Sequence, residues 1–215
     1  ADTVNRWRET VVAVNQVRVI PQPFGSLFDR MLNDAADVSA GRFAREKVGI
    51  IDVGFRTADY AIADHTRFSA RGSATTEAGV SRAFSMVAAR LKEQSGVDVE
   101  LYRLYRAVES GSIKIRGRRY DLAEMTREVF TQLAAAIAAD VERLWHDDWD
   151  IDVVLVTGGG GATLAPYLKD RIENEVITPD PERDGRLANV RGYWKYGHHL
   201  WERAARTKAA PAKDA

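Results

Sequence analysis

The sequence predicts an α/β protein, and three features carry that prediction. Two continuous apolar runs, Lys47-Val48-Gly49-Ile50-Ile51-Asp52 and Ile151-Asp152-Val153-Val154-Leu155-Val156, have the texture of strands buried on both faces. A long segment from Leu122 to Trp145 repeats Leu122, Met125, Val129, Leu133, Ile137, Val141 and Leu144 at helical spacing. The second apolar run passes through Thr157 and four glycines, Gly158 to Gly161, into another helical pattern.

Composition narrows the class. The chain has 215 residues, with 31 Lys+Arg against 31 Asp+Glu and a formal net charge of zero. There is no Cys, which excludes disulfides, thiolate metal sites and a Cys nucleophile. No apolar run approaches the ~18 residues of a membrane span. Neutral balance gives no overall pull on nucleic acid or anionic lipid. The first residues lack the basic-then-apolar order of a signal peptide, so the expected location is cytoplasmic.

The remaining elements follow in order. Thr10 to Val14 and Gln16 to Ile20 are β-branched and read as strands, stopped by Pro21-Gln22-Pro23. Gly25 to Leu32 reads as a short helix with Leu27, Phe28, Met31 and Leu32 on one face, and Asn33 to Glu46 as a loop. Asp59 to Ala63 and Arg67 to Ala70 complete a meander begun by the 47–52 strand. Gly79 to Gln94 is helical, with Gly96 as its stop, and Val99 to Val108 is a second short helix. Ser112 to Tyr120 alternates around a glycine and reads as a hairpin. The block from about 72 to 120 reads as a small α+β insertion beside the main sheet. Asp121 followed by Glu124 resembles a capping box for the long helix. Helices follow at about 162–174 and 188–205, and the tail from Glu202 to Ala215 reads as frayed. The organisation is thus 1–46 for the approach strands and a connecting helix, 47–200 for the main lobe and 201–215 for the tail.

Two loops carry candidate chemistry. In Asp52-Val53-Gly54-Phe55-Arg56-Thr57-Ala58-Asp59 a strand ends in a carboxylate and a tight turn with a hydroxyl. A strand-end carboxylate can hold a hydrated Mg²⁺, which needs few direct ligands, and a tight turn's free amides can cradle phosphate. Alone, the same residues also describe a hairpin with a solvated Asp. In Thr157 to Gly161, four glycines exceed what a turn needs and each adds to the entropic cost of folding. Their use is a close approach of backbone to a ligand beside a helix N-terminus. No Lys-Ser/Thr follows, so this is not a P-loop, and the glycine spacing is not that of a dinucleotide fingerprint. Both loops sit at carboxyl ends of buried strands, the edge where open α/β sheets bind ligands. A nucleotide lying between them is the economical joint reading.

At these residues the chain resembles the actin, sugar-kinase and heat-shock-chaperone ATPase superfamily. Ile51 to Tyr60 resembles its second phosphate loop, and Val154 to Gly161 its adenosine motif. Ile20-Pro21-Gln22-Pro23-Phe24-Gly25 is similar to the start of its first connecting helix, and Ala188-Asn189-Val190-Arg191-Gly192-Tyr193-Trp194-Lys195-Tyr196-Gly197 to its second. The texture is most similar to prokaryotic actin-like proteins, of the plasmid-segregation ParM/StbA type and the archaeal branch. The resemblance implies an RNase H-like (actin-like ATPase) lobe that binds ATP or ADP with Mg²⁺ and forms homopolymer filaments. It implies that Asp52 holds Mg²⁺ through water and that Gly54, Phe55 and Thr57 lie by the β- and γ-phosphates. Gly158, Gly159 and Gly160 would pass under the adenosine, Gln22 would orient the attacking water, and Arg106 and Glu109 would cover the adenine. Two departures stand out. Phe55-Arg56 replaces glycines common in relatives, and nothing before Val17 supplies the family's first phosphate loop. The chain therefore reads as the C-terminal half of an actin-like protein, inactive alone and completed by an N-terminal lobe. A DNA-bound adaptor is a further expected partner. The alternatives are a non-catalytic scaffold of the same fold and a small-molecule kinase of the superfamily.

Other chemistry-bearing residues suggest less. His65, His146, His198 and His199 lack ligand spacing, and Arg116-Gly117-Arg118-Arg119 reads as a solvated basic turn. Tyr193, Trp194, Tyr196 and Trp201 crowd the last helix and read first as packing residues, with some expected to face the missing half or a filament neighbour.

Overall fold

The strand from Lys47 to Val53, β1, is the axis of the molecule, and every layer is placed by it. In the computed structural model, which describes residues 10–14, 16–178 and 180–209, β1 lies between two strands of opposite polarity. On one side it pairs antiparallel with β2 (Ala58–Asp64), which pairs in turn with β3 (Arg67–Thr76). On the other it runs parallel to β6 (Val153–Thr157), whose outer neighbour is β7 (Glu175–Ile177). The sheet order is β3-β2-β1-β6-β7.

Strand side chains alternate between faces, and the two faces build two cores. Ile51 and Val53 of β1, with Val154 and Val156 of β6, face one cluster. That cluster takes in α2 (Val80–Ser95), α3 (Leu101–Glu109), α4 (Ala123–Trp145) and α5 (Gly161–Lys169). Val48, Ile50, Val153 and Leu155 face the other cluster, against α1 (Phe24–Met31). The last helix, α6 (Ala188–Ala209), packs beside α1 and stacks Tyr196 on Phe28 at 4.1 Å between ring centres. Between α3 and α4 a hairpin, β4 (Ser112–Ile115) and β5 (Arg118–Asp121), stands apart from the main sheet. Ile115, Val87, Leu91 and Leu104 join the first cluster, so the segment between β3 and α4 shares its core with the sheet.

Several expectations are refined. Thr10 to Val14 and Gln16 to Ile20 are not strands: the described residues there have no regular structure, and Val11, Val12, Val17 and Val19 are exposed. β-branched composition favours a strand only where a partner strand and a buried face exist, and neither is offered there. Asn15 lies outside the described residues. β3 extends to Thr76 because β2 continues to pair with it. The helix after the glycines ends at Lys169, and the chain turns into β7, a three-residue strand too short to show a period. Asn174 fixes that turn by donating its amide to the Ile151 carbonyl at 2.7 Å. α6 passes the expected end at 205 and reaches Ala209, supported by Glu202 pairing with His198 and Arg206 one turn away on either side. Asp121 accepts the Ala123 amide at 2.8 Å from the end of β5, but the N-cap is Leu122 and the expected Asp121–Glu124 capping box does not form.

The α1–α6 contact has almost no tolerance. A Cβ on Gly192 would collide with the Gly25 carbonyl, and a Cβ on Gly25 would collide with the Asn189 backbone. Charged groups lock the same crossing. Lys195, 3% exposed, pairs with Asp29 at 2.7 Å, and Arg191 adds a second contact to Asp29 at 2.8 Å. Lys195 also donates to the Asp29 and Leu32 carbonyls, both at 2.9 Å, so its ammonium is fully used. Gly192→Ala is expected to cost about 2–3 kcal/mol, the upper range for overpacking, because backbone rather than a movable side chain blocks the methyl. Urea unfolding measures this, and a loss under about 0.5 kcal/mol, an ordinary surface value, would contradict the tight crossing.

Candidate functional site

The site forms where β1 and β6 end together. Parallel register sets Asp52 opposite Thr157. Alternation puts both on the α1/α6 face, the face of Ile50 and Leu155. Asp52 is only 4% exposed, and the first turn begins just beyond it. There the Gly54 amide donates to the Thr57 carbonyl at 2.8 Å and closes the loop. The carbonyls of Gly54 and Phe55 accept the Val80 and Ser81 amides at 3.2 and 2.8 Å, which seats the turn on the first residues of α2. Phe55 turns its ring onto Tyr105 of α3, edge to face at 6.0 Å.

The glycine turn after β6 lies directly against this one. The Gly160 amide donates to the Val53 carbonyl at 2.8 Å. Gly158 has φ +84°, a conformation that penalises side chains, and a Cβ there would strike the Asp52 carboxylate and the Val53 carbonyl. Gly160 is blocked in the same way by Val80 and Val53. Gly158 and Gly160 therefore serve close approach within the protein.

A polar relay holds Asp52. The Asn189 side-chain amide donates to Asp52 Oδ2 at 2.7 Å. Asn189 Oδ1 accepts the Ser26 amide at 3.0 Å and the Ser26 hydroxyl at 2.6 Å. The Thr157 hydroxyl donates to Ser26 Oγ at 2.7 Å and closes the circuit. Both turns and both helices, α1 and α6, are thus joined around one carboxylate. Burial pushes the Asp52 carboxyl above its usual value, and the charge of Asp59 adds to the rise, while the Asn189 amide pulls it down. The Tyr193 phenol is likewise raised, first by burial and then by the Asp52 charge.

The residues singled out in the sequence divide into groups. Asp52, Gly54, Phe55, Thr57, Gly158, Gly159 and Gly160 come together at one edge. Gln22 is exposed at the start of α1, and its carbonyl accepts the Tyr193 hydroxyl at 2.9 Å, which anchors it beside the relay. Arg106 and Glu109 stand exposed on α3, and no hydrogen bond or ion pair ties them to either turn. Sequence reasoning missed Ser26, Asn189 and Tyr193 as members of the site, and gave Thr157 a place in the glycine turn but no role of its own. The one available signal was Ser26, a polar residue inside the apolar run of a short helix.

A cavity of about 320 Å³ adjoins Thr157 on the α1/α6 side and holds Arg183, Arg191 and Lys195. Each of these cations is engaged by Asp29 or Asp34, so the cavity is a clamp between helices rather than a phosphate site. Among the described residues there is no group of three metal-ligating side chains and no helix long and apolar enough to cross a membrane.

The fold is that of an actin-like lobe. Residues 50–170 match the family described as archaeal actin homologue MreB-like, C-terminal, and the chain belongs to that family. Among solved structures, a ParM non-polymerisable quadruple mutant (pCBH ParM) is 26% identical over 83% of this chain and 53% of its own, with a TM-score of 0.70. The archaeal actin homologue Ta0583 is 20% identical over 84% of this chain and 54% of its own, at a TM-score of 0.72. A ParM filament structure from Clostridium botulinum matches at 23% identity and TM-score 0.68, over 88% of this chain and 55% of its own. The chain spans about half the length of the structures it matches. No curated protein matches the sequence significantly.

The buried carboxylate has a stability consequence. Between the usual Asp value of 3.8 and its raised folded value, the folded state binds more protons than the unfolded state. Stability therefore falls as pH rises through that window. Asp52→Asn keeps an acceptor for Asn189 and removes the charge. Without nucleotide, this variant is expected to melt higher than the wild type at pH 7, with the gain vanishing as pH falls below about 4. Thermal melts across that range test it; a gain independent of pH would contradict the assignment.

Proposed function

We propose that this chain is the nucleotide-binding C-terminal half of an actin-like filament protein, which binds ATP with Mg²⁺ and hydrolyses it when a second lobe closes the cleft. The observation that carries the reading is the direct seam between the two turns, with the Gly160 amide on the Val53 carbonyl and Asp52 packed against Gly158. That seam makes one continuous ledge of backbone at the carboxyl edge of the sheet, with a single carboxylate set into it.

The residues fit the group they are proposed to hold. Mg²⁺ keeps most of its waters and needs few protein ligands, so one recessed carboxylate, Asp52, suits an ion bound through water that would neutralise phosphate charge. Gly54 and Thr57 then border the phosphates, and Phe55 contributes backbone while its ring is held by Tyr105. Gly158, Gly159 and Gly160 offer the nucleoside a surface without side chains. Gln22, whose backbone carbonyl accepts the Tyr193 hydroxyl just before α1, would orient the attacking water. Arg106 and Glu109, exposed on α3, would cover the adenine. In phosphoryl transfer such positioning supplies most of the catalysis. Related folds support the choice of ligand and assembly: Ta0583 has been solved in complex with ADP, Bacillus thuringiensis ParM with ATP, and the Clostridium botulinum ParM as a 15-stranded filament.

The test uses the full-length protein. Asp52→Ala is expected to lower ATP turnover by at least ~100-fold, in the range lost when one preorganised electrostatic group is removed. A phosphate-release assay measures it. Wild-type turnover in that variant would favour a scaffold that keeps the fold without the chemistry.

A further inference from the structure

Only one oxygen of Asp52 is held. Oδ2 accepts the Asn189 amide at 2.7 Å, and among the described residues no other hydrogen bond reaches the carboxylate. Oδ1 lies against Gly158, where it is the nearest atom that a Cβ would meet. Asp148 Oδ2 also lacks a hydrogen bond but is shut off from solvent; Asp52 Oδ1 is not. A carboxylate only 4% exposed therefore keeps one acceptor open, on the side of the glycine turn. Leaving a buried acceptor unsatisfied costs about 1–3 kcal/mol, so an open oxygen in so closed a setting points to a group from outside the chain.

The orientation of Asn189 is forced. The Ser26 backbone N–H can only donate, so the Asn189 atom facing it at 3.0 Å is the carbonyl oxygen. The amide nitrogen then faces Asp52, and a flip would set donors against donors at Ser26. Ser26 Oγ uses its one proton on the same oxygen, at 2.6 Å, so toward Thr157 it can only accept, and the Thr157 hydroxyl donates. Every donor thus points one way, from Thr157 through Ser26 and Asn189 to Asp52 Oδ2. The packing of α6 does not need this bond: Gly192 on Gly25, the Asp29 cluster and Tyr193 on the Gln22 carbonyl already hold the helix. Asn189 also donates without adding charge. A Lys or Arg there would hold the oxygen too, but would neutralise the carboxylate. An amide leaves the full negative charge for a cation or its waters.

We propose that Asn189 is a positioning residue for phosphoryl transfer: it clamps Oδ2 of Asp52 and so presents Oδ1 to a water of the bound Mg²⁺. The proposal rests on the nucleotide reading above, and adds which oxygen works and which residue sets it. Partners that orient a metal-site carboxylate from outside typically change metal affinity or activity by about 10–100-fold when removed.

Two measurements on the full-length protein test this. The first is a crystal structure of the wild type with Mg-ADP. Asn189 is expected to stay on one carboxylate oxygen of Asp52 while an ion-bound water takes the other. An Asn189 amide that leaves Asp52, or a water on the same oxygen, overturns the proposal. The second is steady-state ATP turnover, with thermal melts alongside. Asn189→Ala removes the clamp. Asn189→Asp keeps an acceptor for both Ser26 groups but sets a second carboxylate against Oδ2. Each is expected to lower kcat at least ~10-fold with KM for Mg-ATP within ~3-fold, since neither turn is altered. Ser26→Ala keeps its backbone N–H on Asn189 and is expected to hold kcat within ~3-fold of the wild type. A mere brace between helices would give a different pattern: lower melting temperatures in Asn189→Ala and Ser26→Ala, with kcat of the folded protein unchanged. That pattern overturns the proposal, as does a kcat loss in Ser26→Ala equal to that in Asn189→Ala. A wild-type protein that neither binds nor hydrolyses ATP would instead sink the proposed function itself.

Discussion

The parallel pairing of β1 with β6 is the constraint on which the rest depends. It matches Val48 with Val153 and, four residues on, Asp52 with Thr157. Both strands therefore end at the same level and release their turns side by side. A one-residue slip in this register would send every side chain to the opposite face. Asp52 would then face α2 and α4 rather than Asn189. The apolar alternation that builds two separate cores thus also fixes where the carboxylate points.

Around that carboxylate the protein accepts a local cost. A buried charge in an otherwise apolar setting is unfavourable unless hydrogen-bonded, and Asp52 relies on Asn189 for this. Asn189 is itself held by Ser26, and Ser26 by Thr157, so the carboxylate is set by residues from four elements. The helices that supply Ser26 and Asn189 meet at glycines and are locked by the Asp29–Lys195–Arg191 cluster. Removing one partner from such a buried cluster costs more than the pair contributes. The site's precision therefore rests on a helix crossing outside the sheet.

Much of this was legible in the sequence. The continuous runs at 47–52 and 151–156 announce buried strands, and the heptad-like stripe of the long helix announces its length within a residue or so. The two turns were readable because glycine and a strand-end acid are costly choices. What was not legible depends on tertiary partners. The valines between Thr10 and Ile20 look like strands because propensity reports side-chain shape and not whether a neighbour exists. β7 is too short to show alternation. Asn189 and Ser26 are 163 residues apart, and nothing local in either helix marks them as partners.

The turns after β1 and β6 are proposed to hold one nucleotide between them. Titrating Mg-ADP into the isotopically labelled full-length protein and following its amide resonances tests this most directly. Gly54 to Thr57 and Gly158 to Gly160 are expected to shift together along one saturable curve, with the Asn189 side-chain amide following. Shifts confined to one turn, or two curves with different midpoints, would contradict it.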